Sequence, residues 1–326
     1  MLPRDLDPTR VLEFARRTEE LGFDELWVVE DLGFRGGIAQ AAAVLAVTTR
    51  IRVGIGILPA AARNVAFEAM EVATLAQLFP GRLDVGIGHG MPDWMRSVGA
   101  WPTRPLRTLA DHTTALRSLL RGDRVGPAPT PTAPDTRGDV AERPGGLQGV
   151  ALEPSSVPGV VPAVLLGVRG PKSLALSGRV ADGTVLAEPT TPEYARAALE
   201  AIAASGPHAL VAYNVAAVAD DTATALERAR PGLEYVGDPG WAPHIAPLDF
   251  AEDFAALRAR FSDDDRAGFA AALPDEWVAR LALAGTAAEV RARHESLARA
   301  GVTSSVLIPV GPDPFAALDS LAAALP

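Results

Sequence analysis

The sequence predicts an α/β fold, a TIM (β/α)8 barrel with insertions, and three observations carry the prediction. Short apolar runs alternate with amphipathic helical stretches, which is the grammar of strand-helix units. The runs are apolar at nearly every position, as suits strands buried on both faces of a parallel sheet. The chain is 326 residues long. That length suits a barrel of about 250 residues plus insertions better than the other arrangement open to right-handed crossovers, a doubly wound sheet. A single domain over residues 1–326 is expected, with loop insertions at about 126–162 and 231–273.

Residues 8–22 place Val11, Leu12, Ala15 and Leu21 on one helical stripe and stop at Gly22. Residues 24–30, Asp-Glu-Leu-Trp-Val-Val-Glu, follow as a buried strand. The same pair of signals recurs as helix 38–49 before strand 51–58 and helix 64–79 before strand 83–88, and helix 106–121 comes next. Residues 126–162 are loaded with proline, glycine and threonine and fit neither a helix nor a continuous strand. Alternation resumes with strand 163–168, helix 171–180, strand 184–187, helix 193–204 and strand 209–218. From 221 to 283 the signals are helical, broken by a loop at 231–247, and helix 287–300, strand 304–309 and helix 315–324 end the chain. This gives seven strands. Leu2 and Pro3 read as loop after the end of a first strand, so either the start codon is placed late or the barrel closes in another way.

Composition narrows the chemistry. There is no cysteine, which excludes disulfides, thiolate metal sites and cysteine nucleophiles, so redox work needs a cofactor. The five histidines, at 89, 112, 208, 244 and 294, never take the paired spacing of a metal-binding helix. A net charge of −10 repels phosphate backbones and anionic lipid heads, so neither nucleic acid nor membrane is an expected partner. No apolar run of about eighteen residues and no leader-like start occur, and a cytoplasmic enzyme with a small-molecule substrate is expected. Lys172 is the one lysine among 30 basic residues.

Barrel enzymes work at the carboxyl ends of their strands. Those ends carry Glu30 and Asp31, then Arg63, then Gly86-Ile87-Gly88-His89-Gly90-Met91 with Trp94 beyond, then Gly167-Val168-Arg169-Gly170-Pro171-Lys172-Ser173, and finally Glu188. In the Gly167 turn the glycines admit a ligand close to the backbone, and Pro171 pre-sets a helix whose free amides face an anion. Arg169 and Lys172 add charge beside it, a phosphate-binding arrangement. The same pattern also describes an ordinary strand-to-helix loop. Gly86 to Gly90 lacks the spacing of a dinucleotide fingerprint; its glycines allow either a flat prosthetic ring against the strand ends, with His89 and Trp94 beside it, or tight packing of a narrow strand. Glu30 and Asp31 are adjacent, so at most one faces the mouth as an acid-base group. Trp94, Arg63 and Glu188 are candidates for substrate contact.

As a set, the motifs resemble one family. Ala15-Arg16-Arg17-Thr18-Glu19-Glu20-Leu21-Gly22-Phe23-Asp24 with Leu26-Trp27-Val28-Val29, then Thr49-Arg50-Ile51-Arg52-Val53-Gly54, resembles the opening of the luciferase-like monooxygenases. Pro80-Gly81-Arg82-Leu83, the Gly86 to Gly90 turn, and Gly170-Pro171-Lys172-Ser173-Leu174 through Gly178-Arg179-Val180-Ala181-Asp182-Gly183 are similar to its later landmarks. The resemblance implies the barrel already argued, a homodimer, and reduced FMN or the deazaflavin coenzyme F420 as cofactor. It is strongest to the F420-dependent oxidoreductases, which implies hydride transfer between F420 and a small organic substrate. FMN-dependent monooxygenation, a non-catalytic flavin-binding barrel and a phosphosugar-type barrel enzyme are the alternatives.

The resemblance also assigns residues. Gly167, Val168, Arg169, Gly170, Pro171, Lys172 and Ser173 are implied to hold the cofactor phosphate. Gly56 and Ile57 map to a non-prolyl cis peptide behind the ring, and Gly88, His89 and Gly90 lie beside it. Two departures stand out. Many members have aspartate-histidine where this chain has Glu30-Asp31, and the glutamate some carry aligns with Met91. Glu30, Asp31 and His89 are therefore the expected catalytic candidates.

Overall fold

The computed structural model describes residues 1–127 and 147–325. Its strands are β1 (Glu25–Val28), β2 (Arg52–Pro59), β3 (Leu83–Gly88), β4 (Ala163–Gly167), β5 (Gly183–Leu186), β6 (Ala209–Val218), β7 (Leu283–Gly285) and β8 (Ser304–Pro309), and every pairing among them is parallel. In chain order the helices are α1 (Val11–Glu20), α2 (Gly37–Val47), α3 (Val65–Leu78), α4 (Pro92–Ser97), α5 (Pro105–Leu120), α6 (Pro171–Val180) and α7 (Pro192–Ile202). They continue as α8 (Thr222–Ala229), α9 (Ala242–Ile245), α10 (Ala251–Arg258), α11 (Arg266–Ala271), α12 (Asp275–Leu281), α13 (Ala287–Arg299) and α14 (Pro314–Ala322).

Strands β1 to β6 pair in chain order. The ten-residue β6 has a far edge long enough for two neighbours, β8 along residues 211–216 and β7 along 216–218. The remaining gap between β8 and β1 is spanned by the first two residues: the Met1 amine donates to the Leu307 carbonyl at 2.7 Å, and the Leu2 N–H donates to the Trp27 carbonyl at 2.9 Å. Leu2 thus carries no strand of its own, as expected, yet it is buried in the ring rather than loose in a loop. All seven expected strands are present. β7 is additional; three residues are too few to show alternation, and they directly follow a helix.

Inside the ring, large side chains meet glycines. Inward positions carry Trp27 on β1 and Tyr213 on β6, packed with Leu165, Val185, Val211 and Val306. A Cβ at Gly54 would lie 2.2 Å from the Trp27 ring, so the bulk of Trp27 requires glycine on the neighbouring strand. Outside the ring, helices bury their apolar faces against the sheet in one large core that includes Phe14, Leu45, Val72, Leu116 and Leu297.

The expected insertion at 231–273 is not a simple loop. With α8, α12 and β7 it builds a helical cap with its own core, in which Trp241, Phe250, Phe254 and Phe269 pack over Val215 and Ala217 of β6. Of the other insertion, residues 128–146 lie outside the described residues; the flanks meet in a two-residue antiparallel bridge, Val125 with Val150. Among the described residues no helix is long and apolar enough to cross a membrane.

Candidate active site

The floor of the barrel mouth is set by a slip in β2. Between Ile55 and Leu58 the register with β3 shifts, and the Gly56-Ile57 peptide is cis, at the position the resemblance implied. Strand residues alternate faces, so one extra residue lets Ile55 and Leu58 both turn outward and leaves Ile57 pointing inward. The outward pair packs on α2, where a Cβ at Gly37 would lie 3.0 Å from Ile55 and 3.1 Å from Leu58. The inward Ile57 covers three glycines of β3 and β4: a Cβ at Gly86, Gly88 or Gly167 would come within 2.9, 2.8 or 2.4 Å of its side chain. Of the two expected roles of the Gly86 to Gly90 run, close packing is the one seen at Gly86 and Gly88. They admit Ile57, and it is Ile57, with Gly56 and Gly167, that keeps partial exposure at the mouth.

Tyr213 closes the floor from the opposite strand. Its Oη would lie 2.3 Å from a Cβ at Gly56, its ring packs edge-on against Trp27 at 5.9 Å, and the hydroxyl is buried without a hydrogen-bond partner among the described residues. Burial, then the nearby carboxylates of Glu188, Glu25 and Asp31, hold its pKa well above the ordinary phenol value.

One wall is the segment after β5. Trp241 Nε1 from the helical cap donates to the Glu188 carbonyl at 2.7 Å, His244 Nδ1 lies 3.1 Å from the Pro189 carbonyl, and the Thr190 N–H donates to Asn214 Oδ1 at 2.9 Å. Burial raises the Glu188 carboxyl pKa; Arg169 works against that shift and Asp31 with it. Arg169 lies over the Trp241 ring at 4.2 Å and donates to the Gly240 carbonyl at 3.4 Å, so its cation belongs to this wall rather than to the start of α6. Asp31 sits across the mouth, 2.7 Å from Arg4 Nη1.

Glu30 turns the other way. It accepts the Gly37 N–H at 2.8 Å and Arg63 Nη2 at 2.8 and 2.9 Å, while Arg63 Nη1 stands 4.0 Å from the fully buried Glu68, which meets His112 Nε2 at 3.3 Å. Both carboxylate oxygens of Glu30 are thus committed to holding α2 and the loop after β2. The expected acid-base role of Glu30 and substrate contact of Arg63 give way to this structural chain, and the adjacent-residue argument leaves Asp31 as the one that faces the mouth.

The other wall is the amino end of α6. Its cap residue, Gly170, offers no side-chain acceptor, so the first helical N–H groups are left for another partner. Lys172 is exposed beside them, and Ser173 Oγ lies 3.4 Å from His89 Nε2. His89, whose pKa burial lowers, therefore belongs to this anion-favouring end rather than beside Asp31. Val168 is buried, Gly90 turns the chain at φ +72°, and Trp94 is half-buried on α4. Three site residues were missed. Tyr213 shares inward parity with Val211 on an evident strand, a signal that could have found it. Trp241 and His244 sit in the insertion, where periodicity gave no placement.

Known proteins show the same pattern. The sequence profile of the family described as luciferase-like monooxygenase matches residues 2–304. A 5,10-methylenetetrahydromethanopterin reductase from Methanolobus tindarius is 26% identical over 319 residues, 94% of this chain and 93% of that protein. An F420-dependent glucose-6-phosphate dehydrogenase from Microbacterium testaceum is 28% identical over 198 residues, 57% of this chain and 54% of that protein. In fold, the coenzyme F420 dependent tetrahydromethanopterin reductase from Methanopyrus kandleri superposes with a TM-score of 0.74 at 20% identity, covering 99% of this chain and 95% of that one.

Proposed function

Because this chain belongs to the luciferase-like monooxygenase family, we propose that it is an oxidoreductase that binds the deazaflavin coenzyme F420 at the barrel mouth and moves a hydride between it and a small organic substrate. The carrying observation is the floor: a partly exposed Ile57 seated on three glycines, with the Tyr213 hydroxyl, which has no partner among the described residues, beside it. A planar, hydrogen-bonding ring fits that floor. The uncapped start of α6, with Lys172, Ser173 and His89, fits a phosphate at one end of it. The relatives named for F420 support the coenzyme.

Bound there, the deazaflavin would supply or accept the hydride. This chain's own residues do the rest. Ile57 and Gly56 would support the ring, and Gly88, by admitting Ile57, lets that support form. Glu188 is held toward its protonated form, so its carboxyl can hand a proton to a substrate oxygen or nitrogen or take one back, with Asp31 and Arg4 facing it. Trp241, hydrogen-bonded to the Glu188 carbonyl, walls the mouth against water, and Trp94 on α4 stays the candidate for substrate contact.

FMN-dependent monooxygenation is the second reading, favoured by the family's own description. Equilibrium titration with F420 and with FMN separates the two, read by ring fluorescence; F420 is expected to bind the more tightly, and binding of neither would sink both. The same proposal includes a homodimer, supported by exposed Phe67, Met70 and Leu78 along α3, a cytoplasmic location, and no nucleic-acid partner, the last supported by the net charge of −10.

A further inference from the structure

Tyr213 and Asn214 point to opposite sides of β6, as adjacent strand residues must. Tyr213 faces the mouth, whereas Asn214 lines a separate cavity of about 320 Å³ between the sheet and helices α7, α12 and α13. The Asn214 side chain is buried; its Oδ1 accepts the Thr190 N–H at 2.9 Å, but its Nδ2 has no partner among the described residues. A buried carboxamide donor without an acceptor is destabilising, so an oxygen-bearing occupant is favoured there.

The cavity also holds two guanidinium groups. Arg280 is spoken for, paired with Glu193 at 3.3 Å and with Asp249. Arg293 is not: it makes no hydrogen bond or ion pair to any other described residue, although it is half-buried in the cavity wall. Burial brings its pKa down to about 10, so it stays charged at neutral pH. Ser296 adds a hydroxyl to the same wall.

We propose that this cavity binds a small organic monocarboxylate, taken by the Arg293 guanidinium and the free N–H of Asn214. A guanidinium fork matches a carboxylate with two parallel hydrogen bonds. Arg293 is the guanidinium of the lining not held in an ion pair among the described residues, although Glu289 and Glu193 also act on it, so a singly charged head group suits it better than a dianion. The volume leaves room for a few carbons behind the head group. The occupant would sit one hydrogen bond, Asn214 to Thr190, from the segment that carries Glu188. This inference does not depend on the coenzyme reading.

Calorimetric titration of the full chain with butyrate, acetate and phosphate at fixed ionic strength tests it, beside Asn214→Asp and Arg293→Gln. Asn214→Asp keeps an acceptor for the Thr190 N–H, exchanges the free donor for an oxygen and adds a negative charge at the same point. Butyrate is expected to bind saturably and more tightly than phosphate, and each variant to weaken it at least about tenfold while melting cooperatively. Should Arg293→Gln fail to fold, Arg293→Lys replaces it and is expected to weaken butyrate about threefold or more through loss of the fork. Absence of saturable butyrate binding, tighter phosphate binding, or unchanged affinity in the folded variants would overturn the proposal.

Discussion

Ile57 lies directly over Gly167: a Cβ on Gly167 would stand 2.4 Å from Ile57 Cγ2, a branched methyl that cannot swing aside without turning the side chain. The floor of the mouth and the anion-favouring loop before α6 are therefore one mechanical unit.

Gly167→Ala should displace both. Overpacking of this kind costs about 1–3 kcal/mol, and F420 affinity should fall by about tenfold or more. Chemical denaturation and F420 titration read the two effects; a variant with wild-type affinity would separate the floor from the loop.

Tyr213→Phe should move stability and function in opposite directions. The Tyr213 hydroxyl is buried and has no partner among the described residues, so its removal should leave the coenzyme-free protein equally stable or about 1 kcal/mol more stable. F420 binding or turnover should nonetheless weaken. Loss of stability without loss of binding would make the hydroxyl structural.

Glu188 sets the expected pH response of turnover. Burial raises its pKa, so the acid form persists further toward neutral pH than an exposed glutamate's, and a reaction that uses that proton slows as pH rises through the raised value. Glu188→Gln should flatten this alkaline limb and lower kcat about a hundredfold. Arg169→Gln removes the cation that opposes the shift, so its limb should move to higher pH. A limb unmoved in both variants assigns the proton elsewhere.

Lys172→Gln tests the anion end. Lys172 is exposed beside the start of α6, where a cation contributes modestly and is screened by salt. F420 affinity should fall about three- to tenfold at low ionic strength, with a smaller difference at high salt. Equal loss at both salt concentrations would point to packing instead of charge.

His244 gives the fold a pH dependence of its own. It is fully buried, stacked near Tyr194 with ring centroids 4.1 Å apart, and burial lowers its pKa to about 3. The unfolded chain takes up the proton near pH 6.5 and the folded chain does not. Its contribution is therefore fully present above about pH 6.5 and is lost as pH falls toward 3, at up to about 1.4 kcal/mol per pH unit. Urea melts at pH 7 and pH 5 should show a steeper decline for the wild type than for His244→Gln; parallel declines would remove His244 from the acid response.

The strand-helix alternation made most of the barrel legible, because its strands are apolar on both faces and its helices are amphipathic. The three-residue β7 was not, and neither was the part of the helical cap at 231–247, where Trp241 and His244 lie among prolines and glycines that read as loop. At the site, Glu30 and Arg63 both stood out at strand ends, but only coordinates reveal that they bind each other. The Gly86 to Gly90 run was recognised as a close approach; that Ile57 makes the approach depends on a one-residue slip in β2, which leaves no mark in composition or periodicity. Tyr213 was readable in principle from parity alone.

A crystal structure of the protein grown with F420 tests the central claim most directly. The account predicts the fused ring in van der Waals contact with Ile57, the Tyr213 hydroxyl turned to one of its polar atoms, and the phosphate at the amino end of α6. A ring bound elsewhere, or a mouth that excludes the coenzyme under saturating conditions, would contradict it.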